Sequence, residues 1–568
     1  MAKDVSRPGG LGQRPVDGLS HVRGSSARAL LDVTLPAFFA ELTRRHGERT
    51  AAVFRQSGER WSYAQLARRV DRLAAGLLSL GLYKGDRVGI WAPNRPEWLI
   101  AQFATARIGL VLVNINPAYR AGELEFALNK AGVKALILAR QFKSSDYTGM
   151  LQSLAPELAT CAPGHLRARR LPALRCVIQM GEAPVPGAFS FDQVMARGGA
   201  AGQARLDAIG CGLSAFEPIN IQFTSGTTGA PKGATLTHHN IVNNAIACAR
   251  TMGFGPGDVL CIPVPLYHCF GMVLGVLSAA AYGVTMVFPG ECFDAGETLA
   301  ALSGERCTAM HGVPTMFSAV LDHPEFARHD LGAMRTGIIA GSVCPEPLMR
   351  RVIRDMGCVG ITIAYGMTET SPISFQTAPD DPLALRVATV GRVQPHCEVK
   401  IVDPEGRTVP VGTAGELLTR GYLVMKGYWD EPGLTAEAIR DGWMHSGDLA
   451  TLDAQGYARI TGRIKDMLIR GGENVYPAEV EAFLLTHPDI AEAQVFGLPD
   501  PTYGEEVAAW IIPRSTALTP EAVRAYCEGR IAHFKVPRHI RLVSAFPMTA
   551  TGKPQKFRMR DAMMAGDA

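Results

Sequence analysis

Residues 62–94 read SYAQLARRVDRLAAGLLSLGLYKGDRVGIWAPN. Ser62 offers a side-chain acceptor just ahead of an apolar series, Leu66, Val70, Leu73, Leu77 and Leu80. Steps alternating between four and three put that series on one helix face. Gly81 stops it, and the run from Arg87 to Trp91 begins an apolar strand. One helix followed by one strand is the unit. It recurs at 97–116 (EWLIAQFATARIGLVLVNIN), 122–139 (GELEFALNKAGVKALILA) and 348–366 (LMRRVIRDMGCVGITIAYG). Such alternation predicts mostly parallel sheets with covered faces, a layered α/β domain.

The pattern changes at residues 398–429, EVKIVDPEGRTVPVGTAGELLTRGYLVMKGYW, where short β runs between Gly, Pro and Asp turns leave no room for a helix. Beyond GRIKDMLIRGGENVYP (462–477) helix and strand return: Pro477 opens the helix PAEVEAFLLTHP, and EAQVFGLPD and EEVAAWIIP follow as strands. The expected fold class is α/β in a multi-domain α+β chain. A flexible tail spans 1–34. A large layered domain with parallel-rich sheets spans 35–464, including a β subdomain at about 398–462, and a small mobile α+β C-terminal domain spans 465–568.

Composition bounds the function. With 568 residues, 47% hydrophobic and 19% charged, the chain is a folded protein of two or more domains. A net charge of +4 with no long run of one sign gives no electrostatic argument for nucleic acid, and that class is set aside. The 12 cysteines are scattered without a CxxC pair, which fits a reducing compartment, the cytoplasm. The first thirty or so residues carry Gly, Pro and Ser where a secretory signal needs an apolar core, with an organelle transit peptide as the alternative. Residues 261–290 contain no charged residue, yet Pro263, Pro265 and Gly283 interrupt the stretch, and VTMVF (284–288) reads as a buried strand. A core helix of about a dozen residues and then a strand, with no transmembrane segment, is the reading.

The stretch TSGTTGAPKG (224–233) follows the apolar run INIQF and precedes THHNIVNNAIACARTM (237–252). Strand, glycine-rich turn and helix is an arrangement that aims backbone N–H groups and a helix dipole at an anion. It is not the common P-loop, which needs Gly at Pro231 and Ser or Thr at Gly233. Taken alone, the loop reads equally as a flexible surface turn.

Four further stretches follow in order: AYGMTET (364–370), HSGDLA (445–450), GRIKDMLIRGGENVYPAEVE (462–481) and TATGKPQKFRMR (549–560). With the first they resemble the AMP-forming adenylate ligases, the superfamily of acyl-CoA synthetases, luciferase and peptide-synthetase adenylation domains, from about Leu35 onward. Such enzymes let a carboxylate attack the α-phosphate of ATP, giving an acyl-adenylate and pyrophosphate, and a thiol then displaces AMP. The resemblance implies ATP, Mg2+ and coenzyme A. It makes Thr224, Ser225, Gly226, Thr227, Thr228, Gly229 and Lys232 a flap over the β- and γ-phosphates. Tyr365, followed by Gly366 and Met367, becomes the adenine platform, Thr368 an α-phosphate contact and Glu369 the magnesium ligand. Asp448 and Arg463 become ribose contacts, or else a structural salt bridge. Lys553 touches both the attacking carboxylate and the α-phosphate, and so with Glu369 and Thr224 forms the catalytic set. Lys465 matches the hinge, and Gly471 and Gly472 the pantetheine tunnel.

On the substrate side, PLYHCFGM (265–272) brings His268 to the acyl pocket. AGSVCPEP (340–347) brings Gly341 to the loop between adenine and acyl group. Uncharged walls there imply an apolar tail, and LYHCFG, GSVCPEPLMRRV and VATVGRVQPH resemble the medium-chain fatty-acyl-CoA synthetases. Other readings are an aryl or long-chain acid, a luciferase-like oxygenase, a peptide-synthetase-like enzyme, and a nucleotide-binding protein without chemistry. The last should lack Lys553 or Glu369, and both are present.

Overall fold

The computed structural model describes residues 12, 14–181, 183–199, 203–224, 231–471, 473–549 and 553–566. Helix Tyr63–Ser79 follows from its sequence. Ser62 and Gln65 exchange both hydrogen bonds of a capping box, and Tyr63, Leu66, Val70, Leu73 and Leu77 are buried. Gly81 takes φ +77°, and the chain turns into strand Arg87–Trp91.

That strand lies inside an eight-stranded sheet, flanked in parallel by Val111–Asn114 and Ala135–Leu138. Pro218–Thr224 adds on in parallel beside Val111–Asn114. A second, nine-stranded sheet is parallel through Gly360–Gly366, Thr336–Ala340, Ala309–Gly312, Val259–Cys261 and Thr285–Phe288, with antiparallel strands at both ends. Both sheets and their helices feed one continuous apolar core that includes Trp91, Trp98, Phe288 and Phe317. The chain is mixed α/β, with a large N-terminal domain and a small C-terminal one.

A third, antiparallel sheet contains Cys397–Val402, Gly415–Gly421 and Trp443–Leu452. Its edge strand is His21–Arg23, with His21 opposite Lys400, so the expectation of a loose tail through residue 34 is corrected. The cause is electrostatic as well as main-chain. His21 and Arg23 reach Glu398 at 2.7 and 2.9 Å, and Arg420 adds a third contact to that carboxylate. Residues 1–11 and 13 lie outside the described residues.

The uncharged stretch forms one continuous helical segment, but Phe270–Leu277 is π-wound and only Ser278–Ala281 is α-helical before the strand Thr285–Phe288. Among the described residues no helix is long and apolar enough to cross a membrane.

The C-terminal domain has its own sheet, in which Gly504–Pro513 pairs with Ile490–Asp500, Leu468–Arg470 and His539–Leu542. Cores of its own lie on the two faces, one around Val495, Ile511 and Val523, the other around Phe496, Trp510 and Met559. Arg470 pins the Leu468–Arg470 strand to the buried Glu506 at 2.5 Å.

Candidate active site

Ligands of open α/β sheets bind beyond the carboxyl ends of parallel strands. Thr224 ends one such strand, Gly341 follows another, and Tyr365 and Gly366 close a third. Gly366 has no alternative, because a Cβ there would sit 1.8 Å from the carbonyl oxygen of Pro372. Met367 N–H donates to that same oxygen at 3.0 Å, and the chain folds back into the single turn Thr368–Thr370 that carries Glu369.

The loop at 224–233 corrects one expectation. Lys232–Thr237 is a strand antiparallel to Pro218–Thr224, so the chain resumes at Lys232 as a strand and not as a helix. The alternation in KGATLT is strand grammar. Helix His238–Thr251 starts only after it, with its first turn capped by Thr237, whose Oγ1 accepts from Asn240 N–H at 3.2 Å. The strand Lys232–Thr237 thus separates the helix N-terminus, and its dipole, from that stretch. Ser225, Gly226, Thr227, Thr228 and Gly229 lie outside the described residues, as does Gly472.

Glu369 is 6% exposed. Its Oε1 accepts from Tyr428 Oη at 2.9 Å and from Thr224 Oγ1 at 3.4 Å. Lys232 Nζ stands 5.1 Å from the centroid of the Tyr428 ring, so this tyrosine ties the lysine of the hairpin to the carboxylate. Burial, then the Glu369 charge, raise the Tyr428 pKa, which keeps the phenol a donor. No group of three or more metal-ligating side chains occurs among the described residues.

Asp448 and Arg463 face each other across two antiparallel strands, and Arg463 Nε meets Asp448 Oδ1 at 2.8 Å. The other oxygen accepts from Tyr365 Oη at 2.5 Å. Tyr365 is half-buried, its ring tilted against Phe375. Burial foremost, with Asp448 beside it, holds the Tyr365 hydroxyl well above an ordinary phenol pKa. The salt-bridge reading of this pair is thus realised, and a carboxylate with about four lone-pair sites retains capacity for a diol.

Lys553 comes from the other domain. Thr549 and Lys553 close its loop, with Lys553 N–H on Thr549 Oγ1 at 2.9 Å and Thr549 N–H on the Lys553 carbonyl at 2.7 Å. Lys553 is an exposed residue, yet protein surrounds its ammonium closely enough to disfavour the charge. Loss of bulk solvent lowers its pKa, Arg463 adds to that, and Cys269, Asp448 and Glu369 oppose it. These four groups, all in the large domain, lie near enough to act on this ammonium.

His268 is in the same field. Burial, then the Lys553 charge, push its pKa down to about 3, and its Nδ1 accepts from Phe270 N–H at 3.1 Å. It is a neutral imidazole with no basic duty at neutral pH. Next to it, Cys269 Sγ contacts Thr368 Oγ1 at 3.8 Å.

Two predicted residues are elsewhere. Lys465 lies in the turn after strand Ala458–Arg463, where Asp466 and Met467 N–H groups both donate to the Arg463 carbonyl. Gly471, at φ +59°, lies in the hairpin turn after Leu468–Arg470 and donates its N–H to the Tyr503 carbonyl at 2.9 Å within the C-terminal domain. Sequence reasoning missed Tyr428 and the Tyr365–Asp448 bond. The only trace of the first is an aromatic next to Gly427, and the pairing of Ala234 with Tyr428 joins distant parts of the chain.

A family model described as AMP-binding enzyme matches residues 39–429, and one described as AMP-binding enzyme C-terminal domain matches 479–553. The chain belongs to the AMP-binding enzyme family. Among its relatives is "Medium-chain acyl-CoA ligase ACSF2, mitochondrial" of Danio rerio, 46% identical over 547 residues, covering 95% of this chain and 90% of the relative. The solved structure "Crystal structure of the anthranilate CoA ligase AuaEII in complex with anthranoyl-AMP" superposes with a TM-score of 0.83 at 26% identity over 95% of this chain and 99% of that one. ATP-bound MatB from Rhodopseudomonas palustris gives 0.77 at 28%, over 94% and 99%.

Proposed function

We propose that the protein is an acid–thiol ligase that joins a medium-chain fatty acid to coenzyme A through an acyl-adenylate, releasing AMP and pyrophosphate. The observation that carries this reading is the pairing of Asp448 with Arg463 and Tyr365 in the same cleft as Glu369 with Thr224 and Tyr428, near enough to Lys553 of the small domain for their charges to act on its ammonium.

The carboxylate and the triphosphate repel each other, and a protonated Lys553 between them lowers that repulsion where the transition state concentrates charge. The carboxylate oxygen bonds to the α-phosphorus as the bond to the pyrophosphate oxygen breaks. Lys232, held over Tyr428, supports the leaving phosphates. Asp448 takes the ribose hydroxyls while Arg463 holds it in place, and Tyr365 braces the adenine side. Mg2+ fits the set. Glu369 offers a hard oxygen, Oε2, with no protein hydrogen bond among the described residues; it would hold the ion, which would supply charge neutralisation beside the phosphates. In the second step the thiol sulfur bonds to the acyl carbon and AMP leaves. Lys553 has no part in that step, so the small domain turns about Lys465 and presents the face that carries Gly471 and Gly472.

The acid is an apolar one. Neutral His268, Cys269 and the uncharged π-wound segment Phe270–Leu277 supply no partner for a charged tail. The chain-length reading rests on the name of the Danio rerio relative. That name also carries "mitochondrial", and twelve cysteines without a disulfide support a reducing interior, cytoplasmic or organellar. The test is AMP release with ATP, Mg2+, coenzyme A and a ladder of saturated acids from acetate to palmitate. A maximum in kcat/KM between about six and twelve carbons supports the reading, since each methylene contributes about 0.8 kcal/mol of burial until the pocket ends. A maximum at acetate, at palmitate or at benzoate overturns the medium-chain assignment.

A further inference from the structure

Lys232 and Glu369 are neighbours of opposite charge that do not meet. Thr224 Oγ1 lies 3.4 Å from the Lys232 carbonyl oxygen and 3.4 Å from Glu369 Oε1, so both residues are gathered around one hydroxyl. The flexible four-carbon stem of a lysine is long enough to close such a gap. Among the described residues the two nevertheless form no salt bridge with each other. Lys232 Nζ stands over the Tyr428 ring, 5.1 Å from its centroid, and the hydroxyl of that same ring donates to Glu369 Oε1 at 2.9 Å. One side chain thus engages both, the cation through its π face and the anion through its O–H.

Main-chain hydrogen bonds fix the ring from both sides. Tyr428 is paired with Ala234 in the strand that Lys232 opens, Trp429 N–H donates to the Gly233 carbonyl at 2.7 Å, and Lys426 N–H donates to the Thr235 carbonyl at 2.9 Å. On the other side, Met425 N–H donates to the Glu369 carbonyl at 2.9 Å. Tyr428 N–H is itself taken by Thr435 Oγ1 at 2.9 Å. The segment 425–429 is therefore stitched both to the strand of the lysine and to the turn of the carboxylate. A direct ion pair between Lys232 and Glu369 would leave neither charge free. A metal ion would have to displace an ammonium and a phosphate would have to displace a carboxylate, and apparent affinity falls with the fraction of protein left unpaired.

We infer that, in the adenylating reaction proposed above, Tyr428 is a positioning residue that keeps Lys232 and Glu369 apart, so that the lysine stays free for phosphate and the carboxylate for Mg2+. This role rests on that reaction. The ring does the spacing and the hydroxyl orients the carboxylate, so the two parts of the side chain are separable.

The experiment reads binding without turnover. The Kd of α,β-methylene-ATP is measured by calorimetry on the full chain with excess Mg2+ and again with EDTA, and the ratio of the two gives how far the ion strengthens nucleotide binding. Tyr428→Leu removes the ring and should cut that ratio by about tenfold, because Lys232 then pairs with Glu369 and competes with the ion. Adding Lys232→Gln to Tyr428→Leu should bring the ratio back to that of Lys232→Gln alone. Tyr428→Phe keeps the ring and should fall between wild type and Tyr428→Leu. Recovery on removing the lysine is a result that general loosening of the strand does not produce. Melting checks the fold, and Tyr428→Met, longer and unbranched, carries the same prediction if the leucine variant melts early. A ratio unchanged in Tyr428→Leu, or lowered and not recovered with Lys232→Gln, overturns the spacer role. A wild-type protein that does not take the analogue, or takes it equally well with EDTA, counts against the proposed function and takes this role with it.

Discussion

Protein around the Lys553 ammonium, and then the Arg463 charge, place its pKa below that of a free lysine. The sign for activity follows. The ammonium is the working form, so adenylation is full at low pH and is lost as pH rises through a value below about 10.4, the ordinary lysine pKa. The kcat/KM profile of pyrophosphate exchange reads that limb. Lys553→Ala should lower the exchange by at least about a hundredfold, the scale for removing a preorganised charge partner, and spare thioester formation from supplied acyl-adenylate. Equal loss in both half-reactions would contradict its assignment. Glu369→Gln keeps the shape and the Tyr428 contact while removing the charge, so the apparent Mg2+ requirement should rise by on the order of tenfold with folding intact. An unchanged Mg2+ titration sinks that role. At this scale the five sequence stretches pointed to Lys553, Glu369, Asp448 and Arg463. Tyr428 was not legible, because its partners come from strand pairing over about 200 residues and leave no local periodicity.

Elements were legible where one face is buried and a cap is present. Helix Tyr63–Ser79 declared itself by both. The hairpin after Thr224 did not, because six residues of alternating KGATLT sit against a strong helix signal, and edge pairing with Gly427–Tyr428 decides the matter from far away. The π-wound segment Phe270–Leu277 was equally hidden. Its composition is that of any core helix, and its winding goes with contacts made elsewhere, such as the Met272 sulfur that accepts from Asn114 and Gln222 at 3.2 Å. One element of the small domain is predicted to be brittle. Glu506 has a side chain that is 1% exposed, with Arg470 at 2.5 Å and Arg538 at 3.7 Å. Arg470→Leu leaves that carboxylate short of its near partner, and a loss of about 3 kcal/mol is expected in the unfolding of the C-terminal domain. Denaturant melts followed through Trp510, which packs in that domain, check it; a midpoint unchanged from wild type would show the pair to be dispensable.

At the scale of the whole molecule, two bodies with separate cores are joined through the turn that holds Lys465, and the small one brings Lys553 near Glu369, Asp448 and Arg463 of the large one. Alternating helices and strands, then short β runs, then a compact α+β end made this architecture readable. The place of residues 21–23 in the third sheet was not, since three residues carry no strand period and the attraction of Glu398 for His21 and Arg23 acts over more than 370 positions. One domain must then serve two steps in two poses, because Lys553 and Gly471 sit on it at different places, Lys553 within the field of Glu369 and Asp448 and Gly471 bonded to the Tyr503 carbonyl within the small domain. Proline at the junction tests that most directly, since it fixes φ where the rotation needs φ and ψ to change. In Lys465→Pro, pyrophosphate exchange and acyl-CoA formation from isolated acyl-adenylate are measured side by side, with the fold checked by circular dichroism. The account predicts exchange near the wild-type rate and thioester formation lowered by about a hundredfold or more, the cost of a catalytic constellation that no longer assembles. A folded variant in which both half-reactions fall together, or neither falls, contradicts it.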